Sequence, residues 1–521
     1  MDSMIVYDVT LREGMQSPGM SFTVADKLRI AKLLDNLGVD FIEGGSPYSN
    51  PKDEEFFEKI ESLKLKRAKL CAFGATCKVD SSAERDKGLI SLASSRAEYV
   101  CIYGKASRFQ VENILRTTPE RNLEVITESV KFIKNSGKHV FFDAEHYFDG
   151  FKKDKTYALE CIKAASSAGA EYIILCDTNG GILPHELSEA VTETVAALPN
   201  IKFGIHCHND SGVADANTVE AARLGVSCVQ VSLHGFGERC GNANLFTVIP
   251  DLQLKMGIKC LPSLANLSEA AYTSADILNI KNSPKSPYVG RDAFRHKAGA
   301  HIDAVIKDPL SFEHIEPGLV GNSRHFVVSE VSGKAAVSEK ISSLIPGLTP
   351  SNEDAEKVCA ELKKLELAGY QFENADASFE MMVRRTLGMY KPHFTLNNYK
   401  VIAFSGEIYG RETASAMVDM VVNGEAEITA EKGIGPVDAL DGALRRALER
   451  FYPEISHMHL NDYRVHVLDT KEATASTVRV LIESTDGENV WNTVGVSGDI
   501  IEASWLALVD AHEYMLSRYG L

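Results

Sequence analysis

Residues 202–209 read KFGIHCHN, and this stretch decides how the first half of the chain folds. Residues 201–207 have the composition of a short buried strand. In a strand, side chains at i and i+2 share a face. His206 and His208 therefore project together, and Cys207 points away. Two imidazoles converging at a strand end supply half of a metal site. A pair of hydrogen-bonded core histidines is the alternative.

Working outward, seven further runs of the same apolar, β-branched or aromatic character flank this one. They are IVYDVTL from Ile5, FIEGG from Phe41, KLCAFGAT from Lys69, YVCIYG from Tyr99, HVFFDAEH from His139, YIILCDT from Tyr172 and CVQVSLHG from Cys228. Successive starts lie 26–40 residues apart, with helical patterns such as ADKLRIAKLLDNLGV between them. Strands alternating with helices at this spacing predict parallel βα units. Eight such units predict a closed (β/α)8 TIM barrel over residues 1–262.

The bulk composition narrows the function classes. The 521 residues carry 55 Lys and Arg against 72 Asp and Glu, a net charge of −17. That charge argues against nucleic acid or an anionic membrane as a partner. No apolar run is long enough to span a bilayer. The first strand is expected at Ile5, an arrangement that leaves no room for a signal or transit peptide. The ten cysteines include no CxxC pair, and most sit inside apolar runs. They are expected to be reduced thiols in a cytoplasmic protein.

Polar residues cluster where the strands end. Arg12 and Glu13 follow the first strand, and Glu43 ends the second. Asp143 and Glu145 end the fifth, Asp177 and Thr178 the sixth, His206 and His208 the seventh, and GERCGN (237–242) follows the eighth. The C-terminal face of such barrels carries the active site.

LREG, EGGSPYSNPKD, DAEH, CDTNGG, GIHCHND, GERCGNANL and HKAGAHID occur in that order. Together they resemble the metal-dependent Claisen-condensing barrel enzymes, the isopropylmalate, homocitrate and citramalate synthase family. EGGSPYSNPKD and DAEHYFDGFK are most similar to the citramalate branch, and the resemblance covers nearly the whole chain. It implies condensation of acetyl-CoA with pyruvate and water to (R)-citramalate, serving isoleucine synthesis. It implies a divalent metal (Mn2+, Zn2+, Mg2+ or Co2+) on Glu13, His206 and His208, with Asn242 close by. Arg12 would stabilise the developing alkoxide, and Thr178 would bind the 2-oxo acid carboxylate. Glu43 would orient Arg12, with Asp143 also in the substrate site. Glu145 and His301 match the family's acid/base pair, and His301 implies a homodimer in which one subunit covers the other's site. Lys105 and Arg108 are the basic residues available for CoA phosphates, or else a solvated loop. Two positions depart from the family. Glu13 stands where Asp is commoner, and Phe312 stands where relatives carry Tyr. The alternatives are an isopropylmalate or homocitrate synthase acting on another 2-oxo acid, or a non-catalytic amino-acid-binding relative.

The second half reads as helical linker subdomains over 263–392, carrying His301, followed by an α+β tail over 393–521. The tail repeats itself. YKV at Tyr399 and YRV at Tyr463 are 64 residues apart, as are VDALDGAL at Val437 and IEASWLAL at Ile501. Two equal βα units predict a pseudo-two-fold module for dimerisation or regulation. By the same resemblance it would sense isoleucine, with Gly433, Gly435, Val494 and Gly495 near the effector.

Overall fold

The structure is a computed structural model that describes residues 3–327, 333–404, 413–468 and 476–520. It comprises two compact units. The first holds residues up to Phe294 together with 315–323, and the second holds 295–314 and the remainder from Arg324.

The first unit is a closed parallel barrel in sequence order. Its strands are β1 (Ile5–Asp8), β2 (Phe41–Gly45), β3 (Lys69–Ala75), β4 (Tyr99–Lys105), β5 (His139–Glu145), β6 (Tyr172–Asp177), β7 (Phe203–Cys207) and β8 (Cys228–Val231). β1 closes on β8, with Ile5 opposite Cys228. All eight expected strands are present. The helices between them are amphipathic and start on side-chain caps where the sequence allows. Thr23 and Asp26 form a reciprocal capping box at the first, and Thr118 caps the helix Pro119–Asn135. Each cap satisfies amide donors that the first helical turn leaves unpaired.

Inside the barrel, inward-facing aromatics fill the lower layers. The Phe41 ring lies 4.9 Å from Tyr99 and 5.0 Å from Phe141, and Phe141 stacks on Tyr172 at 5.1 Å. Offset and edge-on aromatic contacts of this kind bury large apolar area with favourable ring electrostatics. The helix Leu267–Ile277 packs into this same unit, where Ser268 Oγ donates to Val320 O at 2.8 Å.

In the second unit, the short strands β9 (Arg295–His296) and β10 (His325–Phe326) pair in parallel. Glu313, almost fully buried, accepts from Arg324 Nε at 2.7 Å and Arg324 Nη2 at 2.6 Å and pairs with His296 Nε2 at 3.0 Å. That clasp ties down the segment carrying the helix Gly299–Lys307. The tail holds two three-stranded antiparallel sheets, β11 (Phe394–Ala403), β12 (Ala414–Val422), β13 (Glu425–Gly433), and β14 (His459–Val467), β15 (Val478–Thr485), β16 (Val490–Ser497). Each is followed by one helix, so the repeat unit is βββα rather than a single βα pair. The copies share their strand register. Tyr399 opposes Val418 and Tyr463 opposes Ile482. Both first strands carry an irregularity at the same point, Leu396/Asn398 and Leu460/Asp462. Thr429 Oγ1 donates to Ala443 O at 2.6 Å, and Thr493 Oγ1 donates to Ala507 O at 2.9 Å. No helix among the described residues is long and apolar enough to cross a membrane, and all ten cysteines are free.

Candidate active site

The mouth of the barrel is built on a chain of charged side chains anchored below by Tyr7. Tyr7 Oη donates to Glu43 Oε1 at 2.8 Å. Glu43 Oε2 accepts from Arg12 Nε at 2.5 Å, and Arg12 Nη1 pairs with Glu13 Oε2. The guanidinium lies over the Phe73 ring, 3.7 Å from its centre. A cation on an aromatic face with two carboxylates at its edge is held in one orientation. Burial alone would lower the Arg12 pKa, but Glu13 and Glu43 outweigh it and raise the pKa, so the charge is permanent. Glu43 is fully buried, and that burial lifts its pKa against the pull of Arg12.

Beside Arg12, the donor atoms of Glu13, His206 and His208 all lie within 4.8 Å of one another, and all three residues are buried. His206 Nε2 and His208 Nε2 are 3.3 Å apart, and His208 Nε2 is 3.6 Å from Glu13 Oε1. Burial, then His208, pulls His206 down to about 3. Burial lowers His208 as well. Burial would raise Glu13, but Arg12, His206 and His208 hold it below the usual carboxylate range. The cluster is thus one carboxylate and two neutral imidazoles, the donor set of a divalent cation site with open positions. Asn242 pairs with His208 across an isolated bridge, and its buried Oδ1 has no hydrogen-bond partner among the described residues. These residues fit a divalent metal.

The cluster faces a cavity of about 210 Å3 lined by Arg12, Glu13, Asp143, Glu145, Thr178, His206 and His208 among others. Thr178 Oγ1 accepts from His146 N at 2.8 Å, which leaves its own hydrogen to donate to a ligand. Glu145 pairs with Lys105 Nζ at 2.5 Å. Burial, then Glu43, pushes Asp143 up to about 7. A second cavity of about 520 Å3 shares Arg12, Gln16, Phe73 and Tyr103 and extends over Ser46, Tyr48 and Lys78. Arg108 bonds Glu112 at 2.8 Å and Asp154 at 3.3 Å on an exposed helix.

The remaining expected residues lie in the second unit. His301 stacks on Phe312, ring centres 4.0 Å apart and planes 22° from parallel. Gly433 and Gly495 are close-approach positions. A Cβ would meet Ala439 N at 2.4 Å in the first and Ala503 O at 2.0 Å in the second. Val494 is buried, and its amide donates to Ser378 Oγ at 2.9 Å. Gly435 caps the helix Pro436–Glu449 and faces open space.

Sequence reasoning passed over Tyr7, Phe73, Tyr103 and Gln230. Gln230 carried the clearest signal, a lone amide in the apolar run CVQVSLHG on the face that Cys228 shares.

Comparison with known proteins agrees with this architecture. Residues 3–276 match the family model described as HMGL-like. Residues 288–369 match homocitrate synthase post-HMGL domain-like, and 373–516 match the LeuA allosteric (dimerisation) domain. The chain is 43% identical to an (R)-citramalate synthase of Aquifex aeolicus, covering 99% of this chain and 98% of that protein. It is 44% identical to one of Sulfolobus acidocaldarius over 100% and 98%. Identity to a probable 2-isopropylmalate synthase of Methanosarcina acetivorans is 31%, over 98% and 95%. Full-length identity above 40%, over a barrel, a linker and a LeuA-type tail in the same order, shows that this chain belongs to the (R)-citramalate synthase family.

Proposed function

We propose that this protein condenses acetyl-CoA with pyruvate and water to give (R)-citramalate and CoA, as a homodimer in the cytoplasm. The buried Glu13–His206–His208 cluster beside Arg12 carries this reading. Glu13, His206 and His208 would hold the divalent cation (Mn2+, Zn2+, Mg2+ or Co2+), with Asn242 adjacent. A cation there would supply Lewis-acid polarisation of the keto group of the 2-oxo acid.

The chain's own residues do the rest. Thr178 donates its hydroxyl hydrogen to the pyruvate carboxylate. Arg12, preset by Glu43 and Glu13, neutralises the alkoxide that develops on the keto oxygen, without reorganising during the reaction. Glu145 and His301 form the acid/base pair that removes the acetyl methyl proton, directly or through water. The small cavity suits the 2-oxo acid, and the larger adjoining one suits a bulkier thioester. The tail would bind isoleucine as the end-product effector. Ten unpaired cysteines suit a reducing compartment.

The test is thiol release from acetyl-CoA by metal-reloaded protein with pyruvate, 2-oxobutyrate, 2-oxoisovalerate and 2-oxoglutarate in parallel. Release with pyruvate alone is expected. Preference for another acid would reassign the substrate, and no release with metal bound would overturn the reading.

A further inference from the structure

Gln230 sits on β8 with its side chain buried at the barrel mouth, 1% exposed, and the proposed chemistry gives it no task. A buried amide must match each end to the right partner, because its oxygen only accepts and its nitrogen only donates. Asp143 Oδ1 accepts from Gln230 Nε2 at 3.1 Å and from Cys101 Sγ at 3.1 Å. That fixes the NH2 end of the amide toward Asp143. The carbonyl end therefore faces His206, and Oε1 lies 2.8 Å from Nδ1. A carbonyl oxygen at that distance requires the hydrogen on Nδ1. A neutral imidazole has one N–H, so Nε2 is left with its lone pair.

The other tautomer has a competing partner. With the hydrogen on Nε2, His206 would donate to His208 Nε2 across 3.3 Å and close the cluster on itself. It would also set the Nδ1 lone pair against the Gln230 carbonyl oxygen. His208 has no such support, since its buried Nδ1 has no hydrogen-bond partner among the described residues. One imidazole of the two is held from behind.

We propose that Gln230, oriented by Asp143, is a positioning residue that holds His206 as the Nδ1–H tautomer and keeps its Nε2 lone pair open to a divalent cation. This rests on the reading of Glu13, His206 and His208 as a cation site. It gives Asp143 a task exerted through Gln230, separate from any contact with substrate.

The experiment uses full-length, chelator-stripped protein and titrates cobalt(II) by calorimetry into the native chain, Gln230→Met and the double variant Gln230→Glu/Asp143→Asn. Loss of a hydrogen-bond partner behind a metal-binding imidazole typically costs about 10–100-fold in affinity, and Gln230→Met should fall in that range. Gln230→Glu combined with Asp143→Asn, which keeps an acceptor on Nδ1 and exchanges donor and acceptor across the 3.1 Å contact, should recover to within a few fold. In parallel, 15N-histidine labelling of the metal-free native protein should show His206 protonated at Nδ1, and Gln230→Met should show both tautomers. Unchanged cobalt affinity in Gln230→Met, or a native His206 protonated at Nε2, would overturn the proposal. If Gln230→Met does not fold, the native tautomer decides alone. Failure of the native chain to bind cobalt would overturn the cation site and this inference with it. Cobalt binding without thiol release from any 2-oxo acid would overturn the synthase reading and leave the positioning role standing.

Discussion

The Nε2 atoms of His206 and His208 face each other across 3.3 Å at the mouth of the barrel, in imidazoles that burial keeps neutral. Those two nitrogens and the Glu13 carboxylate lie within 4.8 Å of one another, and removing either imidazole leaves too few ligands for tight binding. His206→Ala should lose stoichiometric metal by elemental analysis and drop thiol release to background. A non-catalytic amino-acid binder would be indifferent to the change.

Arg12 contacts the carboxylates of Glu43 and Glu13 while its guanidinium sits over the Phe73 ring. Lysine keeps the charge but cannot reproduce the planar fork or the stacking. Arg12→Lys should lower kcat by about 10²–10³-fold, the usual cost of losing one preorganised group at a developing oxyanion. Steady-state kinetics with pyruvate checks it, and a change confined to KM would count against the assigned role.

The Phe312 ring stacks on His301, with ring centres 4.0 Å apart. An aromatic pair of this kind contributes about 0.5–1.5 kcal/mol, so losing it should cost up to about tenfold in rate. Phe312→Tyr should keep kcat at or above the native value, and Phe312→Ala should lower it. Equal rates for the two variants would show that the ring does not position His301.

His512 is fully buried on the last helix, and burial pulls it from 6.5 down to about 4. Its Nε2 has no hydrogen-bond partner among the described residues. The matching position of the first repeat, 64 residues earlier, is Leu448. Below pH 6.5 the unfolded chain takes up a proton here and the folded chain does not until about pH 4. The tail therefore loses stability as pH falls through that window. His512→Leu should raise the melting temperature, and the gain should widen from pH 7.5 to pH 5. A gain that does not vary with pH would exclude this group as the source of acid sensitivity.

Thr429 and Thr493 make the same strand-to-helix bond in the two repeats. A neutral hydrogen bond of this type is worth about 1 kcal/mol. Thr429→Val and Thr493→Val should each destabilise the chain by about that much in urea unfolding. Opposite signs would mean that the repeats are equivalent in outline only.

The eight barrel strands were legible because each is a short apolar run at the spacing that a following helix demands. His206 and His208 were legible because i and i+2 share a face. The 64-residue tail repeat was equally plain, and the structure preserves it down to a shared strand irregularity. Gln230 was not legible in the same way. Its partner Asp143 is 87 residues away, and one polar residue in a strand does not say which groups it will meet.

By itself the sequence determined the order of strands and helices, the end of the barrel where polar groups gather, and the period of the tail. These follow from local periodicity and the polarity of neighbouring residues. Only the tertiary structure decided that Glu43 grips Arg12, that Lys105 is bound to Glu145, and which end of the Gln230 amide faces His206. Those pairings exist because barrel closure brings distant strand ends together, and buried donors and acceptors must then be matched at hydrogen-bonding distance.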